Sequence, residues 1–246
     1  MMQQQSAVKR FWLLFKSDAQ NLSRDPILLL ATLLSAVPAP LFAAYSAKLD
    51  QLGIGLFSIP NLSAYIAPMA LLLPASLVGW VAGFLLLEDR DDHTLLAIET
   101  TSVGKIGFMS YRLAIASAIG GMLGLFGVIQ IYPEHATSTQ LFAALLVAIE
   151  TAIVALTLLS LAGNKVEGLA LSKLLNLLML FPVIAAIPSP WRLMGGLFPS
   201  YWIGEIFALS PQSYLPTALV LAVAIVVHIL VLAWLLKTAV QRTEKL

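Results

Sequence analysis

The chain has no cysteine, which excludes disulfides and any thiolate-held metal or redox centre. Charge is nearly as scarce. Asp, Glu, Lys and Arg make up 11% of the 246 residues, against about 25% in an ordinary soluble domain. What stands in its place is apolar: 59% of residues are hydrophobic and the mean hydropathy is +0.90, the balance of an integral membrane protein. The apolar runs lack the strand-like alternation a β-barrel needs, and since only helices and closed barrels cross a bilayer, the spans are helical. Chemical motifs are missing too. No G-x-x-x-x-G-K-[ST] phosphate loop occurs, because Gly104-Lys105 lacks both the preceding glycine and the following Ser or Thr, so ATP is not bound by that route. No G-x-S-x-G elbow is present, and His93, His135 and His228 are too scattered for a metal pattern. Neither an enzyme, a resident cofactor, a metal site nor a nucleic-acid partner is expected.

What is there is a series of apolar runs near the ~20 residues that cross a membrane. They predict an all-α integral membrane protein of one domain, 1–246, with six spans at about 26–46, 64–87, 107–131, 140–162, 169–188 and 214–236. With the N-terminus inside, twelve of the 14 Lys and Arg residues lie at the cytoplasmic face and only Lys48 and Arg192 fall outside. That bias follows the positive-inside rule and puts both termini in the cytoplasm of a multi-pass inner or plasma membrane protein. The start, MMQQQSAVKRFW, lacks the order of a cleaved signal peptide, so the first span is expected to serve as an uncleaved insertion signal. Ahead of it, over 7–24, Val8, Phe11, Trp12, Phe15, Ala19 and Leu22 share one helical face. That predicts an amphipathic helix lying in the lipid interface. Pro38, Pro40, Pro68, Pro74 and Pro182 fall inside spans and are read as packing kinks.

Three further stretches draw notice. Between spans two and three, Glu88, Asp89, Arg90, Asp91 and Asp92 are charged in succession. A short half-apolar helix follows from His93 through Thr94, Leu95, Leu96, Ala97, Ile98, Glu99 and Thr100, with Asp92 or Thr94 offered as its N-cap. It is too short to span, so its apolar face lies on lipid or docks in another protein's groove. Between spans five and six, residues 187–214 are too apolar for an ordinary loop and their pieces too short to cross. Phe198–Leu209 predicts a short re-entrant helix, with Trp191, Tyr201, Trp202 and Tyr214 at the outer interface. Finally, Glu150 and His228 fall well inside spans four and six, where an ionisable group costs at least ~2.5 kcal/mol on insertion scales. Three arrangements suit them: pairing across the bundle, lining a cavity, or a Glu150 that is protonated or bonded to a neighbouring Ser, Thr or backbone group and holds helices together.

The amphipathic start, the six spans and the acidic run followed by T-L-L between spans two and three resemble the permease subunits of ABC type-2 exporters. "RDP" at 24–26, "NKVEGLAL.K" at 164–173 and "IPSPW…FPSYW" at 187–202 are similar to its drug-export-like, fluoroquinolone exporter-like branch. The resemblance implies a coupling helix at His93–Thr100 that contacts a separate ATP-binding subunit, with Glu88–Asp92 orienting the docking. Lys165 and Glu167 in the other cytoplasmic loop would add contacts. It also implies that ATP and Mg sit on that partner chain, that two permeases pair as a homo- or heterodimer among membrane lipids, and that the cargo leaves the cell. The apolar spans suit a hydrophobic or amphipathic substrate, drug- or lipid-like. Two alternatives differ in class: a proton- or ion-coupled secondary carrier using Glu150 and His228, and a non-transporting membrane scaffold.

Overall fold

A computed structural model describes residues 26–208 apart from 102, residues 215–243, and residues 12, 16, 17, 20, 23 and 24. Every regular element among them is a helix. In chain order these are α1 (Pro26–Leu34), α2 (Pro38–Leu52), α3 (Leu62–Asp91), α4 (Thr94–Glu99), α5 (Gly104–Ile131) and α6 (Thr137–Leu161). Then come α7 (Lys165–Leu175), α8 (Phe181–Ile184), α9 (Pro199–Ile206) and α10 (Thr217–Thr243). Most of the interfacial helix expected over 7–24 lies outside the described residues; the six that are described are helical and exposed.

Among the described residues, five helical stretches are long and apolar enough to cross a membrane: Leu62–Asp91, Gly104–Ile131, Thr137–Leu161, Lys165–Ile184 and Thr217–Arg242. The expected first span is not one helix. It breaks at Ser35-Ala36-Val37 between α1 and α2, because Pro38 has no N–H for the carbonyl of Leu34 and its ring crowds that turn. Pro38 instead opens α2, and Ser35 donates its hydroxyl proton to the Thr32 carbonyl. The fifth span is also composite. Asn164 caps α7 by accepting from the Glu167 N–H at 2.9 Å while the Glu167 carboxylate accepts from Gly163 N–H at 2.6 Å, a reciprocal cap. The helix then tightens into a 3-10 turn over Asn176–Leu180 before Pro182. By contrast α3 absorbs Pro68 and Pro74 without ending.

Lipid tails are as apolar as leucine, so helices in a membrane associate by close packing rather than by hydrophobic transfer. The three-helix centre α3–α5–α6 shows how. A Cβ on Gly79 would come within 2.7 Å of Thr151 O, and one on Gly124 within 2.7 Å of Val147 Cγ1; glycine lets the backbones of α3 and α5 lie directly against α6. Buried Thr151 donates to its own Val147 carbonyl at 2.9 Å, so no polar atom is stranded at this contact. Two apolar clusters fill the bundle. One, with Leu86, Leu87, Met109, Leu158 and Leu235, lies toward α4. The other, with Leu71, Leu72, Leu146, Tyr201 and Ile203, lies toward the opposite end. α3 and α6 are the most enclosed; α5, α7–α8 and α10 turn most of their surface outward.

The short helix expected at Phe198–Leu209 is α9, Pro199–Ile206, with Leu209 outside the described residues. It does not lie on the surface. Pro199 through Glu205 are buried and α9 packs against α3, α6, α8 and α10. Tyr201 and Trp202 are therefore enclosed by neighbouring helices. Their polar ends are satisfied there, since Trp202 Nε1–H donates to Gly196 O at 2.8 Å and Tyr201 O–H to Glu205 Oε2 at 2.7 Å. Trp191 is exposed; Tyr214 lies outside the described residues.

Candidate functional site

At one end of the bundle α4 is held between two left-handed residues. His93 takes φ 56°, a conformation histidine tolerates better than most residues, and Gly104 takes φ 68°, where a side chain would be strained. His93 occupies the cap position and makes no side-chain cap bond, so neither Asp92 nor Thr94 caps the helix. Leu95 is buried against Phe108 and Tyr111 of α5, with Ile98 beside it. Leu96, Ala97, Glu99 and Thr100 are exposed, as are His93 and Thr94. Glu99 pairs with Lys105 at 3.1 Å, and both line a cleft of about 270 Å³ with Val103, Gly104 and Val240.

The acidic run expected ahead of α4 is the last turn of α3, which continues to Asp91. Most of it is engaged within the chain. Asp89 is ion-paired with Arg112 of α5. Glu88 pairs with Lys165 Nζ at 3.1 Å, and Asp91 Oδ2 accepts from the Lys165 backbone N–H at 2.7 Å. Arg90 is buried and donates to Leu159 O at 3.0 Å and Ala162 O at 2.7 Å. It thus satisfies carbonyls that the end of α6 leaves without intrahelical partners. Arg242 of α10 reaches the same Ala162 O at 3.4 Å. Asp92 is exposed. The structure therefore brings Glu88, Asp89, Arg90, Asp91 and Lys165 together as a clasp of α3, α5, α6 and α7, while Glu167 serves the α7 cap.

Midway along the bundle Glu150 and His228 face each other. His228 Nε2 lies 3.6 Å from Glu150 Oε2, with both side chains buried. His93 and His135 are remote from them, at opposite ends of α3–α5. Among the described residues no group of His, Asp and Glu converges to hold a metal ion.

At the opposite end the sequence reading missed a polar cluster. Arg192 is a buried residue, not an external loop charge. Its Nη2 donates to Glu205 Oε1 at 2.8 Å, and Glu205 also accepts from Tyr201. Beside them a cavity of about 280 Å³ is lined by His135, Thr139, Arg192, Glu205 and Thr217. Tyr132 stacks on Phe207 with centroids 3.8 Å apart, and His135 meets both rings edge-on. A signal was present: Arg192 and Glu205, opposite in sign, are the only charged residues between Lys173 and Lys237.

The model of the family described as "Fluoroquinolones export permease protein Rv2686c-like" matches residues 18–236. Two similar proteins are "Fluoroquinolones export permease protein MT2760" of Mycobacterium tuberculosis (strain CDC 1551 / Oshkosh) and "Fluoroquinolones export permease protein Rv2686c" of Mycobacterium tuberculosis (strain ATCC 25618 / H37Rv). Each is 27% identical over 209 residues, which is 78% of this chain and 79% of the relative. No solved structure matches. The matched region starts ahead of α1 and reaches into α10, taking in both ends of the bundle and the buried pair between them, and the chain belongs to the Rv2686c-like fluoroquinolones export permease family.

Proposed function

We propose that the chain is the transmembrane subunit of an ATP-driven ABC type-2 exporter, a transport subunit rather than an enzyme. A separate ATP-binding chain would hold ATP and Mg, and a second permease, identical or not, would complete the assembly. α1 and α2 together form the sixth crossing, bent at Pro38, and both termini face the cytoplasm on the side of α4. The cargo is hydrophobic or amphipathic, a drug or lipid-like molecule moved outward; the relatives' names specify fluoroquinolones.

The observation that supports this most is α4 itself. It is too short to stand alone, is fixed by Leu95 to α5, and presents Leu96, Ala97 and Thr100 outward with Glu99 and Lys105 beside a cleft. That is the form of a helix placed for another protein's groove. Its inner face is clamped to membrane-long helices, so force applied to it reaches the spans.

Leu95 and Leu96 separate docking from folding. A charge at buried Leu95 breaks the α4–α5 contact, whereas one at exposed Leu96 meets only the partner. Affinity purification of the tagged protein from mild detergent should yield a stoichiometric ATP-binding subunit and ATPase activity. Leu96→Glu should leave the melting temperature unchanged and reduce the co-purified ATPase at least ~10-fold, the loss of about 1.4 kcal/mol. An ATPase-free wild-type protein, or undiminished capture by Leu96→Glu, overturns the proposal.

A further inference from the structure

His228 of α10 is fully buried, and Glu150 of α6 nearly so. His228 Nδ1 lies 2.8 Å from Ala224 O. A carbonyl only accepts, so Nδ1 carries a proton and, in the neutral ring, Nε2 is a bare acceptor. Nε2 faces Glu150 Oε2 at 3.6 Å, and neither atom has a hydrogen-bond partner among the described residues. Leaving a buried polar group unsatisfied costs about 1–3 kcal/mol, and more for a charged one. A single proton between the two atoms satisfies both. The spacing of 3.6 Å is that of two lone pairs held apart; a charge-assisted bond would draw them to about 2.7–2.9 Å, a contraction that a small approach of α10 to α6 provides.

Glu150 also lines a cavity of about 30 Å³ with Ser76, Trp80, Thr157, Met179 and Ser200, room for roughly one or two waters and too little for an organic ammonium. The hydroxyl protons around it are committed elsewhere. Ser76 donates to Met179 Sδ at 3.2 Å, Thr157 to Ile153 O at 2.7 Å and Ser200 to Leu178 O at 3.0 Å. What these oxygens turn to the cavity is lone pairs, which suit a proton-donating water and not an anion. Other titratable groups stay away. α3 has none between Tyr65 and Glu88, α5 none between Arg112 and its end, and α7 with the 3-10 turn none after Lys173. On α9, Tyr201 and Glu205 are bonded to each other and Glu205 to Arg192; on α10 the next are Lys237 and Arg242.

We propose that Glu150 and His228 form a one-proton binding site, supplied through the adjoining cavity, whose occupation draws α10 onto α6. The site is a property of this chain and does not depend on an ATP-driven partner.

The test uses the full-length protein in nanodiscs, without nucleotide or partner, so its outcome is separate from ATPase docking. With the histidine ring nitrogens labelled by nitrogen-15, three residues contribute two signals each and His228→Asn assigns those of His228. At neutral pH the Nε2 resonance of His228 should be that of a hydrogen-bonded or protonated nitrogen. Raising the pH should move it to the free lone-pair position. Glu150→Gln, whose amide offers a donor that does not titrate, should keep the hydrogen-bonded shift and lose the alkaline response, with the wild-type melting temperature. Glu150→Ala should show the free lone-pair shift already at neutral pH, with no further change on raising it. A free lone-pair shift in the wild-type protein throughout, or an alkaline response that survives in Glu150→Gln, overturns the proposal.

Discussion

The Arg192 and Glu205 side chains are each 1% exposed, a burial that makes them mutually dependent. Removing one partner strands the other charge, at a cost of about 3–5 kcal/mol, whereas replacing both by apolar residues of similar volume is often near neutral. Arg192→Leu and Glu205→Leu should therefore each lower the melting temperature sharply in detergent, and the double variant should recover part of the loss, the remainder being the Tyr201 hydroxyl left without its acceptor. A double variant no better than the worse single one would mean that the cluster is not a self-contained pair. A second residue-scale outcome concerns Arg90. A lysine ammonium lacks the rigid fork whose two nitrogens each reach one carbonyl, so Arg90→Lys should cost about 1–3 kcal/mol, read as the same kind of melting shift. Legibility at this scale was mixed. Glu150 and His228 stood out because ionisable residues at depth are rare. The burial of Arg192 was not legible, because counting positive charges by loop takes no account of a carboxylate 13 residues on that can follow it into the core.

Among the elements, the contact of α5 with α6 rests on the absence of side chains. A Cβ on Gly120 would fall on the Thr151 hydroxyl, while one on Gly55, in the π-helical turn Gly53–Phe57, meets nothing within 4 Å. Gly120→Ala should destabilise by about 1–3 kcal/mol through overpacking, and Gly55→Ala should leave the melting curve in place; equal responses would show that α5 yields freely. Most helices were legible as apolar runs, with ends displaced by a few residues. The displacements have local causes. α3 outruns its apolar stretch because Asp89 and Arg90 find partners on α5 and α6, and α7 starts early because Asn164 and Glu167 cap it. The kink expected at Pro38 and Pro40 is a full break over residues 35–37, a difference of degree that hydropathy does not carry.

For the whole molecule, orientation is the testable quantity, and the lack of native cysteine gives single-cysteine labelling a clean background. Leu96→Cys and Trp191→Cys, both at exposed positions, should react with a membrane-impermeant maleimide from opposite sides, Leu96→Cys from the cytoplasmic one. Ser23→Cys, ahead of α1, should label with Leu96→Cys if α1–α2 crosses; labelling with Trp191→Cys would mean five crossings. Five of the six expected spans and the place of the α4 segment were readable from hydropathy. Which leucine of α4 faces inward was not, because Leu95 and Leu96 differ only in what α5 brings against them.

Arg90 and Arg242 both reach the Ala162 carbonyl, at 2.7 and 3.4 Å. The ends of α3 and α10 are thus lashed at a single atom just beyond the end of α6, which serves as their common pivot. A displacement of the last turn of α3 therefore bears on the same atom that anchors the end of α10. α10 thus links the clasp at the end of α3 to the buried pair of Glu150 and His228.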